Sequence, residues 1–288
     1  MAQIRNQTTL KGPCTITGRG FWSGMVNTLT FLPAPAGTGI RFYRQDTYDE
    51  GVEAVCENCQ GMSMRTCVGN AQRRFEMIEH VMSALAGLQI DNVQVFCTNT
   101  EMPAMDGSSF PLVVALLSVG KVQLRNKRES LVIERPIRVG NDQQWISIEP
   151  SAQYEVEYRL DYGSESPIKK CSFSSLVTEQ KFATEISSAR TFVTSAEAEL
   201  LQARGLAPHV THRDLLVFGS NGPIDNNMRF PDECARHKAL DVIGDLAVAG
   251  VDLVGKVVAN RSGHQLNAEL ARKLRELYFA QQSQLNAA

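Results

Sequence analysis

Residues 236–245 read Arg236-His237-Lys238-Ala239-Leu240-Asp241-Val242-Ile243-Gly244-Asp245, within a segment that predicts one helix over 231–249 with Gly250 as its stop. An earlier segment resembles it in outline. A helix is predicted over 75–88, where Ile78, Val81, Met82, Leu85 and Leu88 recur at helical spacing. His80 is followed seven positions later by Gly87, as His237 is by Gly244, and each helix leads into a strand. The pair hints at two related α+β halves packed together, although two coincidences of spacing also arise by chance.

Working outward, 27–32 alternates polar and apolar residues as a half-buried strand does, 33–39 is a Pro/Gly turn, and 40–43 resumes the alternation. Strands are predicted over 92–96, 130–133, 145–148, 154–158 and 254–259. Helices are predicted over 110–119, 195–204 (ended by Gly205) and 268–279. A second block of elements begins near residue 127.

The 288 residues accommodate about two domains. With 43% hydrophobic and 21% charged residues the chain is globular rather than disordered. Lys+Arg of 29 against Asp+Glu of 31 argues against broad nucleic-acid binding. No apolar run nears the roughly 20 residues that span a bilayer, and MAQIRNQTTLKG has no signal core, so a cytoplasmic location is expected. Seven Cys cannot all pair within the chain, and most are expected as thiols.

Five His carry the candidate chemistry. His237 and Asp241, four apart, share a helix face and can converge on one metal ion; a helical ion-pair surface is the other reading. Asp245, one turn on, can orient a ligand or a catalytic His. Glu79 and His80 diverge by about 100° on a helix, so they serve one site only in different roles, metal ligand and water activation; a satisfied helical His is the alternative. Three protein ligands of nitrogen and oxygen plus water make the catalytic zinc pattern. His264 follows Gly263, which permits a tight turn aiming the imidazole into a cleft as general acid, or leaves a surface-loop His. Cys56, Cys59 and Cys67 lack an evident fourth ligand for a structural zinc. His209 and His212 read as loop residues.

Together these segments resemble the UDP-3-O-acyl-N-acetylglucosamine deacetylases of lipid A biosynthesis, nearly end to end. The resemblance rests on 28–36, Glu79 to Leu88, Ile90 to Val93, Met105-Asp106-Gly107-Ser108, Ser188-Ala189-Arg190-Thr191-Phe192, Arg229 to Asp245, and Ser262-Gly263-His264. It implies an α+β fold of two similar domains, each a β-sheet layered with α-helices, with the active site at the domain interface. The domains would span 1–126, with an insert near 45–70, and 127–288, with an insert near 193–228. His80, His237 and Asp241 would hold Zn²⁺, Glu79 would be the general base, and His264 the acid or electrophilic partner oriented by Asp245. Thr191 and Lys238 would help stabilise the oxyanion and bind substrate, Phe192 would border the sugar site, and Arg261 would meet the substrate phosphate.

The implied substrates are an acylated UDP-N-acetylglucosamine and water, with no obligate protein partner evident. The family usually carries Gly-Leu-His-Thr-Gly near its start; here Gly20-Phe21-Trp22-Ser23-Gly24 puts Trp in place of His. Gly205 to His212 replaces a small Gly-Gly turn near the acyl passage with bulkier residues. Both departures spare the metal set and bear on the acyl chain. Alternatives are a zinc deacetylase of another N-acetylated sugar and a silent nucleotide-sugar-binding paralogue.

Overall fold

The computed structural model describes residues 5–46, 50–62, 64–207 and 209–287. Residues 47–49 and Ser63 of the expected first insert, Pro208 of the expected second, and the first four residues lie outside these ranges. The fold is α+β, as expected, and its two large sheets repeat one topology. The first runs Cys14–Arg19, Val26–Pro33, Val93–Cys97, Ile40–Arg44, Val52–Glu53. The second runs Ile137–Gly140, Trp145–Glu149, Asp252–Asn260, Tyr154–Leu160, Cys171–Leu176. In both, the third and fourth strands in this order are parallel and the other neighbours antiparallel.

A parallel pair needs a crossover. The first crossover carries the helix Glu79–Gly87, and the second the helix Glu233–Ala247. Alternation sets the faces: along Val26–Pro33, Asn27, Leu29 and Phe31 point into the core while their neighbours lie nearer solvent. The Glu79–Gly87 helix packs against the helices Phe110–Val119 and Glu233–Ala247, and the latter also packs against the terminal helix His264–Ala287. Helices thus meet between the two sheets. Their contact is close because Gly244 lacks a side chain. A Cβ there would stand 2.1 Å from the Glu79 carbonyl oxygen. Gly87 instead makes room for the Phe182 ring, 2.2 Å from where its Cβ would be. The matched seven-residue spacing therefore marks two different contacts, and the repeat resides in strand order.

Three expectations need correction. Phe75 to Ile78 is not helical: Arg74–Glu76 is a strand paired with Thr66–Gly69, and Met77 takes a positive φ of 59° that breaks the path into the helix. The last helix starts at His264, not Ala268. The left-handed residue before it is Arg261, at φ 53°, rather than Gly263.

Two small three-stranded sheets stand outside the large ones. One joins Cys59–Gly61, Thr66–Gly69 and Arg74–Glu76; the other joins Phe192–Thr194, Leu216–Gly219 and Gly222–Pro223. A ribbon pairs Asn6–Leu10 with Lys121–Lys127. Beside it, Arg5 bonds both Asp91 and Asp252 at 2.6–2.8 Å, tying the two halves together. No helix among the described residues is long and apolar enough to cross a membrane.

Candidate metal centre

His80 lies in the first turn of one crossover helix, and His237 and Asp241 lie one turn apart on the other. All three are buried, which rules out the surface ion-pair reading of His237 and Asp241. Among the described residues they form the one group of three or more His, Cys, Asp or Glu that could hold a metal ion. Asp241 Oδ1 is 3.4 Å from His237 Nε2 and 3.6 Å from His80 Nε2. Ligand atoms about 2.0–2.1 Å from a tetrahedral zinc stand about 3.3–3.4 Å apart, so the spacing fits.

Three further observations support that fit. Asp241 Oδ1 is buried with no hydrogen-bond partner, a costly arrangement unless a cation meets it. His237 Nδ1 lies 3.0 Å from the Ala189 carbonyl; donating to it leaves the Nε2 lone pair for a metal. Burial pushes the His237 pKa down to about 3, so the ring is a neutral ligand at pH 7. Burial opposes the charge on Asp241, but its positively charged surroundings, the Lys238 ammonium among them, outweigh it and hold the carboxyl well below its usual range. Lys238 Nζ bonds Asp241 Oδ2 at 2.9 Å.

Glu79 is buried beside His80, and burial raises its pKa although the His264 imidazolium opposes the rise. Its Oε2 accepts the Thr66 N–H at 2.9 Å. Across the site, His264 Nδ1 bonds Asp245 Oδ2 at 2.8 Å. Burial disfavours the imidazolium, yet the Asp245 carboxylate more than compensates and raises its pKa to about 9. The result is a carboxylate that gains a proton readily and an imidazole that keeps one.

Phe192 is buried, its ring edge-on to His237 at 6.2 Å and 5.8 Å from Lys238 Nζ. Thr191 is half-buried, its N–H on the Gly107 carbonyl at 2.7 Å. Arg261 is exposed, its N–H on the Arg159 carbonyl. On the face of the small sheet that Val193 and Val217 share, opposite to the Phe192 ring, lies an apolar recess of about 160 Å³, lined by Phe21, Ala198, Leu201, Val210 and Val217 among others. The His209 ring packs on Gly24, where a Cβ would stand 2.0 Å from it. His212 lies 3.5 Å from Asp225, a carboxylate that the local sequence does not offer. Trp22, where the family usually has His, is held through its backbone by Glu101, which accepts the Trp22 and Ser23 N–H groups at 2.6 and 2.8 Å.

All seven Cys are free thiols. Burial pushes the Cys56 thiol up to about 12 and raises Cys59 and Cys67, so without a metal they are protonated at neutral pH, and among the described residues they do not form a group of three ligands.

Four residues of the site have no signal in the local sequence. Thr66 bonds Asp245 as well as Glu79, and Asn267 donates to Asp245 Oδ2 at 2.8 Å. Arg190 and Glu233, buried and paired at 2.8 Å, tie the segment bearing the Ala189 carbonyl to the start of the His237 helix. Each acts through a partner at least 13 positions away.

The sequence model of the family described as UDP-3-O-acyl N-acetylglycosamine deacetylase matches residues 7–276. The chain is similar to the UDP-3-O-acyl-N-acetylglucosamine deacetylase of Geobacter sp. (strain M21), 37% identical over 271 residues that cover 93% of this chain and 88% of that one. It is similar to the proteins of the same name from Solibacter usitatus (strain Ellin6076), 34% identical with 94% and 92% covered, and Myxococcus xanthus (strain DK1622), 36% identical with 93% and 86% covered.

Proposed function

The chain belongs to the UDP-3-O-acyl N-acetylglycosamine deacetylase family, and from that premise we propose that it removes the N-acetyl group of UDP-3-O-acyl-N-acetylglucosamine by zinc-dependent hydrolysis in the cytoplasm. The observation that carries the mechanism is the convergence of His80, His237 and the orphaned Asp241 Oδ1 beside a buried Glu79 and a proton-holding His264.

His80, His237 and Asp241 would hold the ion. When bound, zinc supplies Lewis acidity, lowering the pKa of a water toward about 7 and polarising a carbonyl. Glu79 takes the proton from the attacking water; its burial makes it a stronger base than a solvated carboxylate. The Lys238 ammonium and the Thr191 hydroxyl stabilise the oxyanion that attack creates. His264, protonated and oriented by Asp245, supplies a proton toward the departing amine. Phe192 borders the sugar and Arg261 serves the phosphates. The apolar recess, lined in part by Ala207 and Val210, suits the acyl group, and its small volume favours a short chain or only the first part of a longer one. We assign residues 1–126 and 127–288 to the two domains, with the two small sheets in their inserts.

The test is acetate release from acylated and unacylated UDP-N-acetylglucosamine, with metal analysis of the same protein. About one zinc per chain and faster release from the acylated form are expected. Equal rates would instead favour a deacetylase of another N-acetylated sugar. Glu79→Gln should keep its zinc and lose at least about a hundredfold in turnover; unchanged turnover would place the base elsewhere.

A further inference from the structure

The small sheet of Cys59–Gly61, Thr66–Gly69 and Arg74–Glu76 belongs to neither large sheet, yet it reaches the centre of the site. Thr66 begins its middle strand and is buried. Its backbone N–H donates to Glu79 Oε2 at 2.9 Å and its hydroxyl donates to Asp245 Oδ1 at 2.6 Å. The other Asp245 oxygen receives His264 Nδ1 and Asn267 Nδ2, both at 2.8 Å. One uncharged residue thus holds the carboxylate that takes a proton and the carboxylate that orients the proton donor. Its strand register is itself fixed. Gly61, paired with Thr66, has no room for a side chain, since a Cβ would stand 2.2 Å from the His264 carbonyl oxygen and 2.9 Å from Ala268 Cβ. The sheet therefore abuts the first turn of the helix that carries His264.

We propose that Thr66 is a positioning residue that sets the placement of Glu79 relative to the His264–Asp245 pair, so that the small sheet is part of the acid–base apparatus. The proposal rests on the roles given above to Glu79 and His264. A β-branched side chain on a strand has few rotamers, so its hydroxyl offers Asp245 a fixed donor. Without that donor Asp245 Oδ1 is buried and unpaired, and the carboxylate turns to find another. The imidazole it holds turns with it.

Thr66→Val removes the hydroxyl, keeps the shape and retains the N–H that serves Glu79. On the full chain, the proton NMR signal of the His264 Nδ1–H, assigned by its loss in His264→Ala, should shift in Thr66→Val and return in Thr66→Ser. In the zinc-loaded enzyme, Thr66→Val should lower kcat about tenfold with KM and zinc content unchanged. Thr66→Ser should restore it, and adding Thr66→Val to His264→Ala should cost nothing more. An unmoved proton signal overturns the proposal, as does a Thr66→Val loss that is fully additive with His264→Ala. If the wild-type protein releases no acetate while the signal shifts as described, the deacetylase reading fails and the positioning role stands.

Discussion

His264 holds its proton more tightly in the folded chain than an exposed imidazole does, with a pKa near 9 against 6.5. A raised native pKa stabilises the fold fully below the unfolded value, and the contribution is lost as pH rises through the native value. The window therefore runs from about pH 6.5 to about pH 9 and amounts to about 3 kcal/mol. Urea midpoints of the metal-free protein should fall across that window, and His264→Gln should flatten the fall; an equal slope in both would place the titration on another group. At this scale the residues that converge at the site were legible and their supports were not. His237 and Asp241 announce themselves by helical spacing, and Glu79, His80 and His264 by the family resemblance. Thr66, Asn267, Arg190 and Glu233 act on atoms far away in sequence, and a Thr or an Asn carries no local mark of such a bond.

The helix Glu233–Ala247 needs two unusual provisions at its ends. Near its C-terminal end Gly244 admits the Glu79 carbonyl. Gly244→Ala improves intrinsic helix propensity yet should destabilise the protein by about 1–3 kcal/mol in urea unfolding, because backbone on both sides must move. A neutral or stabilising result would mean that the helices separate easily. At its start, Glu233 is the buried carboxylate partner of Arg190. Glu233→Ala leaves that guanidinium without its countercharge and should cost about 3–5 kcal/mol. It should also weaken zinc binding in a chelator competition, since Ala189, next to Arg190, orients His237; unaltered zinc affinity would separate the ion pair from the metal site. Strands with alternating burial and helices with Gly stops were readable from composition and period. The helix boundary at Phe75 was misread because its apolar residues suit a helix, whereas pairing with Val68 makes it strand. Long-range pairing has no local period.

For the molecule as a whole, the three residues proposed to hold the metal come from two helices that pack between the two sheets. An ion bound there would join the halves as well as serve the proposed chemistry. Chelation should lower the melting temperature by the linkage expected for a ligand bound only to the folded state. It should also speed amide exchange along 79–87 and 233–247 more than in the outer strands. A melting temperature indifferent to zinc would mean that the Arg5–Asp91–Asp252 bridge and apolar packing alone set the junction. The repeated strand order was only hinted at by two spacings, because a topology conserved between halves needs no matching residues.

Trp22 gives this chain an optical property as well. It is one of only two tryptophans, the other being Trp145. The Arg65 guanidinium lies 5.2 Å from its ring, and Arg65 precedes the residue that bonds Glu79 and Asp245. With Trp145→Phe, all tryptophan emission would originate from this loop. Occupation of the cleft would then be read as a change in intensity or wavelength, in real time and without a dye, on the native polypeptide.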